Sequence, residues 1–167
     1  MTQESSGLIL DQDTISRKLR RMAYEIFERN AKEKRLILAG ILERGHVVAT
    51  RLAELLREIA PFELEIIHVS INRENPVEVS VSEPVDFTGT VVILVDDVAN
   101  SGRTMLYALK PILNFLPRKI QTAVLVDRMH KSFPVIINYT GHSLSTTLKD
   151  NILVKIEGDR ILGAYLD

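Results

Sequence analysis

The chain has 167 residues, 46% of them apolar and 26% charged, with a formal net charge of −1 and no cysteine. That balance predicts one soluble globular domain able to bury its own core, and it excludes disulfide frameworks and thiolate metal sites. Near-neutrality leaves no overall electrostatic footprint for nucleic acid. No secretory h-region and no apolar run of membrane-spanning length occurs, so a cytoplasmic chain without a membrane partner is expected.

Taken in chain order, Ile15, Leu19, Met22 and Ile26 form a helical stripe across residues 14–29, with Asp11 or Asp13 as its cap. Arg17, Lys18, Arg20 and Arg21 fill the other faces, giving the first third a small basic excess; a solvated helix face explains this most simply. Arg35 to Ala39 reads as a buried strand, Gly40 to Gly45 as a tight loop, and His46 to Arg57 as a second amphipathic helix. Phe62 to Ile71 is rich in β-branched residues and predicts a strand. Pro76, Pro84 and Gly89 punctuate a polar stretch that predicts a hairpin or mobile flap.

Thr90 to Val95 is apolar throughout, as expected of a central parallel strand covered on both faces. A helix should follow from about Arg103 and end or kink at Pro111. Ile120–Val126 and Val135–Tyr139 predict further strands, Ile152–Ile156 a last edge strand, and Gly158–Asp167 a short tail. Strands alternating with helices predict an α/β fold: a mainly parallel twisted sheet with helices on both faces.

The chemistry concentrates where the Thr90–Val95 strand ends. Asp96 and Asp97 stand there, followed by Val98, Ala99, Asn100, Ser101, Gly102, Arg103 and Thr104. Ligands of open α/β sheets bind at the carboxyl ends of strands. Backbone amides from about Ala99 to Thr104 can converge on one anion at a helix start, Gly102 permits close approach, and Ser101 and Thr104 add hydroxyls. Two carboxylates beside a phosphate suit a neighbouring polyol, whose hydroxyls they accept. A phosphate cradle next to a diol-binding acid pair describes a ribose 5-phosphate site. The blander alternative, strand-ending aspartates that only cap a turn, accounts for the pair but not for the whole string. Neither Gly-Lys-Ser/Thr nor Gly-x-Gly-x-x-Gly is present, so a P-loop and a dinucleotide fingerprint are excluded.

The string from Val91 to Thr104 resembles the signature of type I phosphoribosyltransferases, which use 5-phosphoribosyl-1-pyrophosphate (PRPP). The resemblance implies one domain over residues 1–167 with a small hood and a flap at about 68–89. It also implies a pyrophosphate loop after the first core strand, a place filled here by Gly40 to Gly45 with Glu43, Arg44 and Gly45. Arg44 suits bidentate contact with pyrophosphate, and Arg73 at the flap edge is a second candidate. Asp96, Asp97 and Arg44 are the expected catalytic residues. The implied reaction displaces pyrophosphate from ribose C1 by a base nitrogen, so the protein supplies geometry and charge rather than a nucleophile. Mg²⁺ is the expected cofactor, held mainly by PRPP; His46, His68, His130 and His142 show no zinc spacing, and no protein-built metal cage is expected.

Almost the whole chain is similar to the PyrR family, pyrimidine-operon attenuators with uracil phosphoribosyltransferase activity. Ile9–Asp11, Arg17–Asn30, Gly40–Gly45, Val91–Thr104 and especially Ala123-Val-Leu-Val-Asp-Arg-Met-His130 carry the similarity. It implies that Val126, Asp127, Arg128 and His130 line the uracil site, and that the chain forms a homodimer or larger assembly. Glu43, Met129, Lys131 and His142 depart from the family pattern; the family implies RNA contact where Glu43, Lys131 and His142 stand. Asn100 replaces the carboxylate that hypoxanthine–guanine enzymes use on the purine, and an amide is no general acid or base. Uracil transfer is thus the leading reading, with a leader-RNA attenuator or a purine phosphoribosyltransferase as alternatives.

Overall fold

A computed structural model describes residues 7–145 and 151–166. In chain order the elements are β1 (Leu8–Asp11), α1 (Gln12–Arg29), β2 (Arg35–Ile41), α2 (Arg44–Ile59), β3 (Glu63–Ile71), β4 (Val79–Val81), β5 (Val91–Ala99), α3 (Arg103–Ala108), β6 (Lys119–Arg128), β7 (Tyr139–Leu144), β8 (Ile152–Glu157) and β9 (Arg160–Leu166).

Six strands form the main sheet in the order β4-β3-β2-β5-β6-β7, parallel except for β4, with β5 near the middle. Its two faces bury separate clusters. Ile15, Leu19, Met22 and Ile26 of α1 and Val48, Leu52 and Leu56 of α2 pack with Leu36, Leu38, Ile93 and Val95. On the other face Met105, Ala108 and Ile112 cover Ile37, Ala39, Val92 and Leu94. Each Leu, Ile, Val or Met side chain among them, fully buried, contributes roughly 1.5–3 kcal/mol. The fold is therefore the expected α/β arrangement, with helices on both faces. Asp11 caps α1 by accepting from the Thr14 amide at 2.8 Å. At its other end Asn30 is buried and donates to the Ile26 carbonyl and to Gln121, which also accepts from Tyr139.

Four local expectations are corrected. The second helix starts at Arg44, not His46, because Gly45 lets the first turn lie directly on β5. The central strand continues past Val95 to Ala99, since pairing with β6 persists through Asp96↔Val124 and Ala99↔Asp127. Val135–Asn138 is no strand: the Val135 amide turns back to Phe133 O, and Asn138 is tied to Thr122, so β7 begins at Tyr139. Ile152–Ile156 is an edge strand as expected, but of a second sheet, and the described part of Gly158–Asp167 is a strand rather than a tail. β8 and β9 pair with β1 in a small antiparallel sheet, β9 at its centre; Asp167 lies outside the described residues. The flap stretch is part sheet, since 68–71 complete β3 and β4 pairs with it.

Candidate functional site

Asp96 and Asp97 lie inside β5, whose nine residues are all buried. The two carboxylates have different surroundings. Asp96 is 1% exposed and receives both guanidinium nitrogens of Arg73, one at each oxygen, at 3.1 Å. Arg73 makes no ion pair with Asp97, which is 9% exposed. Burial, reinforced by the adjacent Asp97, pushes the Asp96 carboxyl above the usual carboxylate range, against the opposing pull of the two-pronged Arg73 contact. The upward direction is physically sound: Asp96 is dry, whereas the Arg73 side chain is 42% exposed and its charge is partly screened by water. Arg73, expected to close over pyrophosphate, is thus held by a carboxylate expected to face a diol.

Beyond β5 the chain turns through Asn100 and Ser101 to Gly102, whose φ of 91° is left-handed and suits glycine. A Cβ there would also come within 2.6 Å of Val135 Cγ2. Ser101 Oγ accepts from the Arg103 amide at 3.3 Å, and α3 begins. The first-turn amides of a helix have no intrahelical partner. They border a cavity of about 50 Å³ lined by Val98 to Met105, Asp96 and Arg73. Every member of the expected phosphate loop thus lines one concavity.

Of the pyrophosphate-loop candidates only Gly45 packs against Asp96, and none of the three lines that cavity. Gly45 packs so closely on β5 that a Cβ would lie 2.6 Å from Val95 O and 3.0 Å from Asp96 Oδ1. Glu43 is the exposed N-cap of α2, makes no side-chain cap bond, and follows a cis Leu42–Glu43 peptide. Arg44 donates through Nε to Val154 O of β8 at 3.0 Å, linking this turn to the small sheet. That contact had no sequence signal, because β8 is distant in the chain and belongs to another sheet. His46 and His68 meet edge to face with centroids 5.2 Å apart, and burial with the nearby His68 lowers the His46 pKa.

The turn just after the expected base segment, not the segment itself, docks on the phosphate loop. The Ser132 and Phe133 amides both donate to Ser101 O, at 3.0 and 3.1 Å. Val126 is buried, Asp127 and Arg128 are half-buried, and His130 is exposed. Lys131 pairs with Asp127 at 2.6 Å, with side chains only 16% and 18% exposed, and also reaches Arg128 O. In the sequence Lys131 stands out only as a departure from the family pattern; no local signal pairs it with Asp127, because one lies in β6 and the other in the loop after it. Arg103 and Lys110 bind the flap backbone, at Glu74 O (2.7 Å) and Val77 O. Among the described residues no cluster of three or more His, Cys, Asp or Glu is gathered for a metal, and no helix is long and apolar enough to cross a membrane.

Comparison with known proteins is consistent across three kinds of match. The phosphoribosyl transferase domain family model matches residues 5–153. The "Bifunctional protein pyrR" of Enterococcus faecalis is 36% identical over 167 residues, covering 92% of this chain and 94% of the relative. The Streptococcus mutans protein of that name is 39% identical over 153 residues, covering 89% and 87%. Among solved structures, the hypoxanthine phosphoribosyltransferase of Trypanosoma cruzi superposes with a TM-score of 0.80 at 13% identity, covering 97% of this chain and 98% of that one. A hypoxanthine-guanine phosphoribosyltransferase from Bacillus anthracis gives 0.75 at 17%, covering 95% and 97%; at such identities the likeness speaks for the fold. On family model and relatives together, this chain belongs to the phosphoribosyltransferases.

Proposed function

We propose that the chain transfers the phosphoribosyl group of PRPP to uracil, giving UMP and pyrophosphate. The observation that carries this reading is one cavity whose wall runs unbroken from Val98 to Met105, closed by Asp96 and Arg73, with the Ser132–Phe133 turn that follows the base segment seated on Ser101 O. Amides of the loop take the 5-phosphate, where the helix start also favours an anion. Asp96 and Asp97 accept from the ribose hydroxyls. The start of α2, with Arg44 and Gly45, faces the pyrophosphate, and the terminal guanidinium nitrogens of Arg44 remain available beyond its Nε contact.

In the reaction a bond forms between the base nitrogen and ribose C1 while the C1–oxygen bond to pyrophosphate breaks. The base gives up a proton, and positive charge grows on the ribose at the transition state. The buried carboxylates next to the sugar are suited to that charge, and cationic and amide donors to the departing pyrophosphate. Mg²⁺ bound to PRPP oxygens would neutralise the leaving group. The base is positioned by backbone groups of the Val126–His130 segment, with Asp127 neutralised by Lys131.

Pyrophosphate release measured with PRPP, Mg²⁺ and each common base in turn tests this reading. Uracil alone should support turnover; hypoxanthine or guanine in its place would establish the purine reading instead. A second reading, binding of a pyrimidine-operon leader RNA, rests on the exposed Arg17, Arg20 and Arg21 of α1; the groove that Arg17 and Arg20 share with Arg51 also holds Glu54 and Glu58, which offset its charge. A gel shift at low salt decides it, and no shift there excludes it. A homodimer and a cytoplasmic setting complete the proposal.

A further inference from the structure

We infer that Arg73 makes this site select ribose 5-phosphates bearing a 1-pyrophosphate, by passing from Asp96 to the pyrophosphate when such a ligand enters. The inference rests on the proposed ribose 5-phosphate reading and adds to it a specificity device.

Four observations converge on this. Arg73 uses two nitrogens to occupy both oxygens of Asp96, so it competes for the acceptors that a ribose diol needs. The same guanidinium lies 3.5 Å from Leu42 O, within the loop proposed for pyrophosphate; one side chain therefore reaches both partners. Arg73 and Asp96 both form part of the wall of the cavity of about 50 Å³, so a sugar that is to reach the Asp96 oxygens meets the arginine there. The flap backbone beside it is held by Arg103 at Glu74 O and by Lys110 at Val77 O, so any movement falls to the half-exposed Arg73 side chain.

The consequence depends on the ligand. Ribose 5-phosphate must break the Arg73–Asp96 fork and returns nothing to the displaced guanidinium. PRPP breaks the same fork but supplies charged oxygens to which the guanidinium can bind bidentately. Once pyrophosphate departs, Arg73 is again without an anion, returns to Asp96, and competes the product nucleotide off the carboxylates. Arg73 is thus a positioning and specificity residue, and the ion pair is its resting state.

Titration calorimetry on the full chain with Mg²⁺, using PRPP and ribose 5-phosphate separately, tests this in the parent, Arg73→Ala and Arg73→Lys. Arg73→Ala should weaken PRPP by about tenfold or more and tighten ribose 5-phosphate by a similar factor, since one charged hydrogen-bonded contact is lost in the first case and one competitor removed in the second. Arg73→Lys, which keeps the charge without the fork, should lie between, and it carries the test alone if the alanine variant does not fold. A change of the same sign for both ligands, as a merely structural role would give, or no change for either, overturns the exchange. Failure of the parent to bind either ligand overturns the site reading and the inference with it.

Discussion

Replacing Gly45 by alanine tests whether the two halves of the site are built against each other. The added Cβ would sit 2.6 Å from Val95 O, 2.8 Å from Asp96 Cα and 3.0 Å from Asp96 Oδ1. Ordinary contact begins near 3.4 Å, so the first turn of α2 and β5 must separate by roughly 0.8 Å. Two of the three atoms are backbone of a strand paired on both sides, with β2 and β6, so the helix turn has to give. Overpacking of this kind costs about 1–3 kcal/mol, which for a chain of this size lowers Tm by roughly 2–12 °C. The larger effect should be on turnover, because a displacement near 1 Å between reacting groups costs about a hundredfold. Thermal melting and pyrophosphate release read the two effects separately. A Gly45→Ala variant that melts and turns over like the parent would refute the close approach.

Three further outcomes follow from the same geometry. The Asp96 carboxyl is held above its ordinary value of 3.8, chiefly by burial; over the interval where the folded chain keeps a proton that the unfolded chain has released, stability should fall as pH rises, and it should level off once both have released it. Denaturant midpoints measured against pH should show that slope in the parent and lose it in Asp96→Asn. Asp96→Asn combined with Asp97→Asn should abolish turnover while far-UV circular dichroism stays native; undiminished activity would remove the acid pair from the site. Lys131→Met strands the mostly buried Asp127 carboxylate and should raise KM for the base about tenfold while leaving PRPP binding near the parent value, as steady-state kinetics with each substrate varied would show.

The layered α/β fold was legible because its signals are local. The Ile15–Ile26 stripe and the apolar runs of β2, β5 and β6 have the periods of the elements they form. Asp96 to Thr104 stands out as a candidate site because its residues are contiguous and their chemistry converges without help from the rest of the chain. What escaped depends on distance in sequence. Nothing in Ile161–Leu166 announces a strand at the centre of a second sheet, because its partners lie at β1 and β8. The apolar Val135 and Ile137 mimic a strand, yet they pack on the core from a turn that the Phe133 carbonyl and Asn138 side chain organise. Arg73 carried too little local pattern to reveal its partner. Its pairing with Asp96, across 23 positions, arises only once β3 and β5 flank β2 in one sheet.

The most direct measurement is a crystal structure of the protein soaked with PRPP and Mg²⁺. The account predicts the 5-phosphate among the amides of residues 99–104, the ribose hydroxyls against Asp96 and Asp97, and the pyrophosphate beside Arg44 and Gly45. Density for the sugar phosphate anywhere else, or an empty loop at saturating ligand, would contradict it.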